Sequence, residues 1–370
     1  MTDTSSVQAL ADPAPRASKA HPKGYEAILS AIASDMAAVD RLIRRRLSSE
    51  VGLVNQVAEY IIGAGGKRVR PALVLMSARA LASQPGLSAG GVLLQPSPIS
   101  RQEGSSPSAL GPGVIELAAI VEFIHTATLL HDDVVDESNL RRSRLTANAV
   151  FGNAASVLVG DFLYSRAFQM MVGLHSLAVM AVLADATNTI AEGEVLQLMN
   201  CQDPEVDEDR YLQVIRFKTA KLFEASACLP AVLAEAPESM IEGLAAYGRH
   251  IGTAFQLTDD ILDYSGNADS MGKQLGDDLK EGKPTLPLIY LLQTGNPADR
   301  ALIRQAIIEP ENAPIDAVIH RVRESGALNY AREMAQREVQ LATDSLAHLE
   351  ASPSKSSLID LASFVIERRA

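Results

Sequence analysis

The sequence predicts an all-α fold, and three observations carry that expectation. Apolar residues recur at three- and four-residue steps along almost the whole chain, the spacing of one helix face. No stretch of useful length alternates apolar and polar residues as a half-buried strand would. The chain has 370 residues and 47% hydrophobic content, enough to bury a large core as one big domain or two ordinary ones.

The segments follow in order. Met1–Lys23 mixes Pro13, Pro15 and Pro22 with small and polar residues and lacks the apolar run of a signal peptide, so residues 1–24 are expected to be a disordered tail. Ile28, Ile32, Met36, Val39, Ile43 and Leu47 make one face of a first helix. Arg44, Arg45 and Arg46 lie near its C-terminal end, where the helix dipole favours cations. Residues 84–113 hold six Gly, five Pro and six Ser, which argues for a long surface loop. Ala78–Leu81 before it and Val114–Leu130 after it read as two helices of one bundle, so residues 25–370 are read as one domain rather than two joined by a linker. Further helices are predicted from Val114 into an acidic cluster, over Ala154–Gly173, Ser176–Leu198 and Asp207–Glu235, and from Met240 into a second acidic cluster. The most apolar region, Met170–Ile190, is interrupted by Gly173, His175, Ser176, Asp185 and Asn188, so it is expected to be a buried helix and not a membrane span.

Charge and cysteine usage narrow the function. A formal net charge of −12 argues against a nucleic-acid surface, so any anionic partner must meet a local basic pocket. Cys201 and Cys228 have neither metal-ligand spacing nor a disulfide pattern, which fits packing residues in a reducing, cytoplasmic setting.

The two acidic clusters are nearly the same. Asp132-Asp133-Val134-Val135-Asp136 and Asp259-Asp260-Ile261-Leu262-Asp263 lie 127 positions apart. Within each, three- and four-residue spacings project all three carboxylates from one side of a helix. A single such triplet could be a solvated helix end. Two copies, each following an apolar run, are better explained by a hard cation bridging them across one site.

Basic residues occur in short, separate groups. Gly65-Gly66-Lys67-Arg68-Val69-Arg70-Pro71 sets three cations beside glycines that let a backbone approach an anion closely. Arg141 and Arg142 follow the first triplet, and Lys218-Thr219 and Lys273 flank the second. Acidic triplets with scattered cations suit a site for two polyphosphates, one held through metal and one by direct ion pairs.

These motifs, in this order, resemble the trans-isoprenyl diphosphate synthases of the polyprenyl synthetase family, from about Tyr25 to the C-terminus. The resemblance rests on Gly66–Pro71, Glu122–His125, His131–Asp136, Arg141-Arg142, Phe217–Ala220, Gln256–Asp263 and Gly276–Pro287. It implies one bundle of mostly antiparallel helices around a deep central cavity. It implies magnesium, three ions per site, on Asp132, Asp133, Asp136 and Asp259, with Asp260 and Asp263 completing the second cluster directly or through water. Arg141, Lys218 and Lys273 would contact the diphosphate of an allylic substrate, and Gln256 and Thr219 would line the reacting region. Lys67, Arg70, His125 and Arg142 would bind the diphosphate of isopentenyl diphosphate. A homodimer is also implied, as is transient membrane contact when the apolar product leaves.

Family members set product length with residues just before the first triplet, and bulky aromatics there act as a floor. Here those residues are Ala127 and Thr128, which leave a tunnel open. Phe151–Asp161 and Glu192–Gln197 resemble bacterial octaprenyl synthases of quinone biosynthesis, so about eight isoprene units are expected. Ala127 could instead serve close helix packing. His131 could support a neighbouring carboxylate. Ser143 and Leu145 depart from the family pattern after the paired arginines. A shorter-chain synthase, a terpene cyclase, a non-catalytic subunit and a helical scaffold are the other readings. A cyclase need not carry Lys67, Arg70 and His125, and a non-catalytic subunit would be expected to have lost one triplet.

Overall fold

In the computed structural model, residues 24–63, 65–87, 92–94, 108–141, 144–265 and 275–367 are described. The expected tail, apart from Gly24, lies outside these residues. So do Arg142, Lys273 and most of the 84–113 excursion.

The first helical face is realised as two elements, α1 (Tyr25–Ser30) and α2 (Ala33–Leu47), not one. Ile28, Ile32, Val39, Ile43 and Leu47 are buried as expected, but the chain turns at Ala31–Ile32. Next come α3 (Gly52–Gly63), α4 (Val69–Ala82) and α5 (Pro112–Val135). A two-residue hairpin, β1 (Leu140–Arg141) and β2 (Arg144–Leu145), pairs Leu140 with Leu145 and Arg141 with Arg144. It is the only sheet among the described residues.

The chain continues through α6 (Ala147–Phe151), α7 (Asn153–Gly173), α8 (Leu177–Asn200) and α9 (Glu208–Ile215). A π-helical turn, Arg216–Ala220, leads into α10 (Lys221–Leu233), so the single helix expected over Asp207–Glu235 is divided. The long α11 (Glu238–Ser265) follows, then α12 (Asp277–Lys280), α13 (Leu286–Thr294), α14 (Pro297–Ile308), α15 (Ile315–Glu324), α16 (Ala327–Ser345) and α17 (Pro353–Glu367).

Helix α5 is the structural centre. Val114, Ile115, Leu117, Ala119, Ile120 and Phe123 are buried around its circumference, and the helix packs against α2, α4 and α7. It is long and apolar enough to cross a membrane by composition, yet 72% of its most apolar window is buried in the bundle. A helix hydrophobic all round is what such a central position requires. Met170–Ile190 is not one buried helix; it spans the turn between α7 and α8, and Leu177 there is 83% exposed.

The described stretches of the 84–113 excursion include contacts that tie it to the bundle. Gly111 N–H donates to Leu93 C=O at 2.7 Å, and both Leu93 and Leu110 are buried. The carboxylate of Asp35, fully buried, accepts from Ser108 Oγ at 2.7 Å, from Ala109 N–H at 3.0 Å and twice from Arg79. A buried charge with this many donors is well compensated.

Helix α11 joins two apolar cores. Leu244, Tyr247, Ile251 and Ala254 belong to the larger one, built on α2, α4, α5, α7 and α10. Leu257, Ile261 and Tyr264 belong to a second, built with α13–α16. The crossover falls where the second aspartate triplet begins.

Candidate active site

Both triplets occupy the ends of helices. The first closes α5, with Asp136 as its C-cap, and the second lies in the last two turns of α11. The partial negative charge of a helix C-terminus disfavours carboxylates, so each triplet requires compensation.

Cations from other elements compensate the first. Arg141, on β1, donates to Asp133 Oδ1 through Nε at 2.9 Å and Nη2 at 2.7 Å, and Asp133 is 1% exposed. Lys283, on the segment after α12, reaches Asp136 at 3.1 Å and also pairs with Glu281. Burial would lower the Lys283 ammonium, but the charges of Asp136, Glu281 and Asp278 outweigh it and raise its pKa. Burial raises the carboxyl of Asp132, with Asp136 adding to the rise. Lys218, Arg141 and a hydrogen bond with Glu194 oppose it.

Two features place Lys218. The π turn inserts an extra residue per turn at Arg216–Ala220, a distortion that recurs at functional sites, and it presents Lys218 and Thr219 to the cavity. Helix α8 then packs so closely that a Cβ on Gly193 would lie 2.5 Å from the backbone N of Lys218. Glu194, the next residue, accepts from Lys218 Nζ at 2.6 Å. Burial pushes its carboxyl up to about 7, helped by Asp132 and opposed by Lys218.

The second triplet is organised differently. Asp259 is exposed, whereas Asp260 and Asp263 are buried. Tyr211 donates its hydroxyl to Asp260 Oδ2 at 2.6 Å, and Gln256 donates Nε2 to Asp260 Oδ1 at 2.8 Å. Burial pushes Asp260 up to about 8, with Asp278 adding, while these two donors oppose the rise. Asp263 Oδ1 accepts from the Asp277 N–H at 3.2 Å and its backbone C=O from the Gly276 N–H at 3.0 Å, tying α11 to α12.

The basic group lies across the same cavity. Arg68 takes a left-handed conformation (φ 48°) at the start of α4 and pairs with Glu122 on α5. Lys67 lies with its ammonium 5.8 Å from the Phe364 ring. Arg70 stacks 4.5 Å from the Phe223 ring and meets His125 Nε2 at 3.1 Å. Burial lowers the Arg70 guanidinium to about 10, against the opposing charges of Glu122 and Asp132.

One cavity of about 720 Å³ gathers these groups. Its walls include Lys67, Arg70, His125, Thr128, Asp132, Asp133, Asp136, Arg141, Lys218, Thr219, Gln256, Asp259, Asp260 and Asp263. Every described residue expected at the site is there except Ala127, which is fully buried in the core and does not face this cavity. Adjacent helix positions diverge by about 100°, so Thr128 and Ala127 point to different neighbours. His131 does not support Asp132. It lies 3.2 Å from Val157 C=O and 3.4 Å from Asp161, stacked on Tyr164.

Glu194, Lys283 and Tyr211 are site residues whose roles the motifs did not reveal. Glu194 and Lys283 lie inside recognisable motifs, Glu192–Gln197 and Gly276–Pro287. Tyr211 carries no local signal.

Oxygen-rich carboxylates beside cations suit a hard divalent ion with diphosphate. Among the described residues no three His, Cys, Asp or Glu side chains converge to hold an ion alone. Divalent ions such as magnesium commonly take one or two carboxylates and complete their shell with substrate phosphates and water. The fold and cavity thus define a helical protein with a cavity suited to a divalent ion and diphosphate.

The chain belongs to the polyprenyl synthetase family, whose model matches residues 51–322. It is 45% identical to the octaprenyl diphosphate synthase of Escherichia coli over 344 residues, 93% of this chain and 98% of that one. It is 47% identical to the octaprenyl diphosphate synthase of Haemophilus influenzae over 335 residues, 90% of this chain and 94% of that one. A polyprenyl synthase from Caulobacter crescentus, solved with calcium and isoprenyl diphosphate, superposes with a TM-score of 0.82 at 39% identity, covering 96% of this chain and 100% of that one. The protein is a prenyltransferase with the all-α fold of these synthases.

Proposed function

We propose that the protein adds isopentenyl diphosphate units to an allylic diphosphate such as farnesyl diphosphate, giving octaprenyl diphosphate for a quinone side chain. The observation that carries this reading is the single cavity in which both aspartate triplets face Lys67, Arg70 and His125. Diphosphate is a poor leaving group until its developing charge is neutralised. Three magnesium ions, when bound, would supply most of that neutralisation.

The chain's own residues divide the work. Asp132, Asp136 and Asp259 would hold the ions, while Asp133, Asp260 and Asp263 are engaged with Arg141, Tyr211, Gln256 and the Asp277 N–H. Arg141, Lys218 and Lys273 grip the allylic diphosphate, and Lys218 exchanges Glu194 for it. Lys67, Arg70, His125 and Arg142 hold isopentenyl diphosphate so that its double bond meets the allylic carbon as the carbon–oxygen bond breaks. A proton then passes to the departing diphosphate. The isopentenyl double bond is itself the nucleophile, so no side-chain nucleophile is needed.

Octaprenyl length is supported by Thr128 on the cavity wall and by the two octaprenyl synthases at 45% and 47% identity. A homodimer is supported by an exposed apolar face on α7 and α8, where Leu158, Val172, Leu198 and Met199 are 57–70% exposed. The same reading places the enzyme in the cytoplasm, with release of the apolar product at a membrane surface. Incubation with farnesyl diphosphate, isopentenyl diphosphate and magnesium should give an eight-unit product by chromatography. Absence of any elongation would overturn the reading, and a shorter product would restrict it to a shorter-chain synthase.

A further inference from the structure

Tyr211 has no part in the chemistry assigned above. Its ring is buried in the second core, 5% exposed, and its hydroxyl meets Asp260 Oδ2 at 2.6 Å. Burial and the adjoining Asp260 charge raise the phenol well above its ordinary pKa, so Tyr211 stays a donor. From Asp260 the chain of hydrogen bonds runs to the cavity wall. Gln256 donates Nε2 to Asp260 Oδ1 at 2.8 Å, and Thr219 donates Oγ to Gln256 Oε1 at 3.0 Å.

The order of donors matters more than their number. With Asp260 ionised, the state that cations bound beside the adjoining Asp259 would favour, both its oxygens accept only, so the side of the Gln256 amide facing it must be its NH₂. Its Oε1 is then turned toward Thr219, and that hydroxyl must give its proton to the amide. The remaining lone pairs of Oε1 and Oγ are left for the cavity that both residues line. Without a fixed carboxylate the amide could turn over and present N–H groups instead. The two ends would then carry the wrong partial charge for a carbon becoming cationic.

We propose that Tyr211 is a positioning residue for prenyl transfer: by clamping Asp260 it fixes the orientation of Gln256 and Thr219, so that two oxygen atoms face the carbon that develops positive charge. This rests on the proposed function and extends it to a residue outside every acidic and basic motif. It gives Asp260 an orienting task distinct from that of Asp259. Tyr211, Asp260, Gln256 and Thr219 come from α9, α11 and the π turn, so the clamp also holds these three elements in register.

The test is steady-state kinetics of the full-length protein carrying Tyr211→Phe, with farnesyl and isopentenyl diphosphates varied separately. The expected result is a fall in kcat of about 10–100-fold with both KM values within about twofold, because the lost orientation matters in the transition state and not in diphosphate binding. Tyr211→Phe combined with Gln256→Ala should be no slower than the slower single variant, as groups acting through one chain are non-additive. If Tyr211→Phe melts before it can be assayed, Asp260→Asn, which keeps the carboxylate's shape, should show the same split between kcat and KM. Unchanged kcat, a loss confined to KM, or additive losses with Gln256→Ala would overturn the proposal. A wild-type protein that elongates no substrate would instead overturn the proposed function.

Discussion

The first aspartate triplet closes α5 and the second closes α11. The two differ in sequence only at their apolar positions, yet different chemistry holds them. Arg141, Lys218 and Lys283 surround the first, so its charges are balanced by charges. Within the second, Asp260 is balanced by a phenol and an amide, and Asp263 accepts a backbone N–H. Asp259 alone of that triplet is exposed. Equal motifs therefore have unequal duties. The first is ringed by cations, whereas the second has one exposed carboxylate backed by two that brace the wall.

The comparison breaks most visibly in activity. Asp132→Asn and Asp259→Asn should each lower turnover by about 10²–10³-fold, the scale of losing a principal transition-state stabiliser, with little change in melting temperature. Asp263→Asn should do the reverse, reducing stability more than turnover. A loss of turnover at Asp263 as large as that at Asp259 would remove the distinction.

The next effect is on stability. Lys283→Met leaves Asp136 half-buried beside Glu281 with its cation removed, and should cost about 3 kcal/mol in metal-free urea unfolding. Lys283→Arg should recover part of that loss.

The two residues before the first triplet separate in the same way. Thr128→Tyr should shorten the product while the protein remains folded. Ala127→Tyr should instead destabilise by about 1–3 kcal/mol through overpacking, because Ala127 is fully buried against the core. Shortening by Ala127→Tyr in a stably folded protein would place that residue on the tunnel after all.

The smallest expected effect is pH dependence. Glu194 and Asp260 have folded pKa values raised to about 7 and about 8, above their ordinary carboxylate values. The folded state therefore holds protons that the unfolded chain has released, and their contribution to stability falls as pH rises from about 4.5 to 8. In metal-free protein the melting temperature should decline across that range, and Glu194→Gln should flatten part of the decline. An unchanged slope in Glu194→Gln would show that Glu194 does not hold the proton.

Local patterns made much of this legible before the structure. The long helices follow from 3.6-residue periodicity, and the triplets stand out because charge appears abruptly where an apolar run ends. The turn at Ala31–Ile32 was not legible, since neither Gly nor Pro marks it. Nor was the π turn, whose five residues read as ordinary helix. The basic group was readable as motifs, but its stacking on Phe223 and Phe364 was not. Tyr211–Asp260 joins residues 49 apart and Lys283–Asp136 joins residues 147 apart. No periodicity encodes such pairs; they are set by how α9 and the segment after α12 pack onto the helices that carry the triplets.

The division between the triplets is tested most directly by manganese binding in the presence of inorganic diphosphate, followed by electron paramagnetic resonance. Wild type, Asp132→Asn, Asp259→Asn and Asp260→Asn should be compared in one titration. Asp132→Asn and Asp259→Asn should weaken ion binding by tenfold or more, about 1.4 kcal/mol. Asp260→Asn should remain within about twofold of wild type, since its oxygens are engaged by Tyr211 and Gln256. Equal weakening in all three variants would contradict the account and return Asp260 to the metal site.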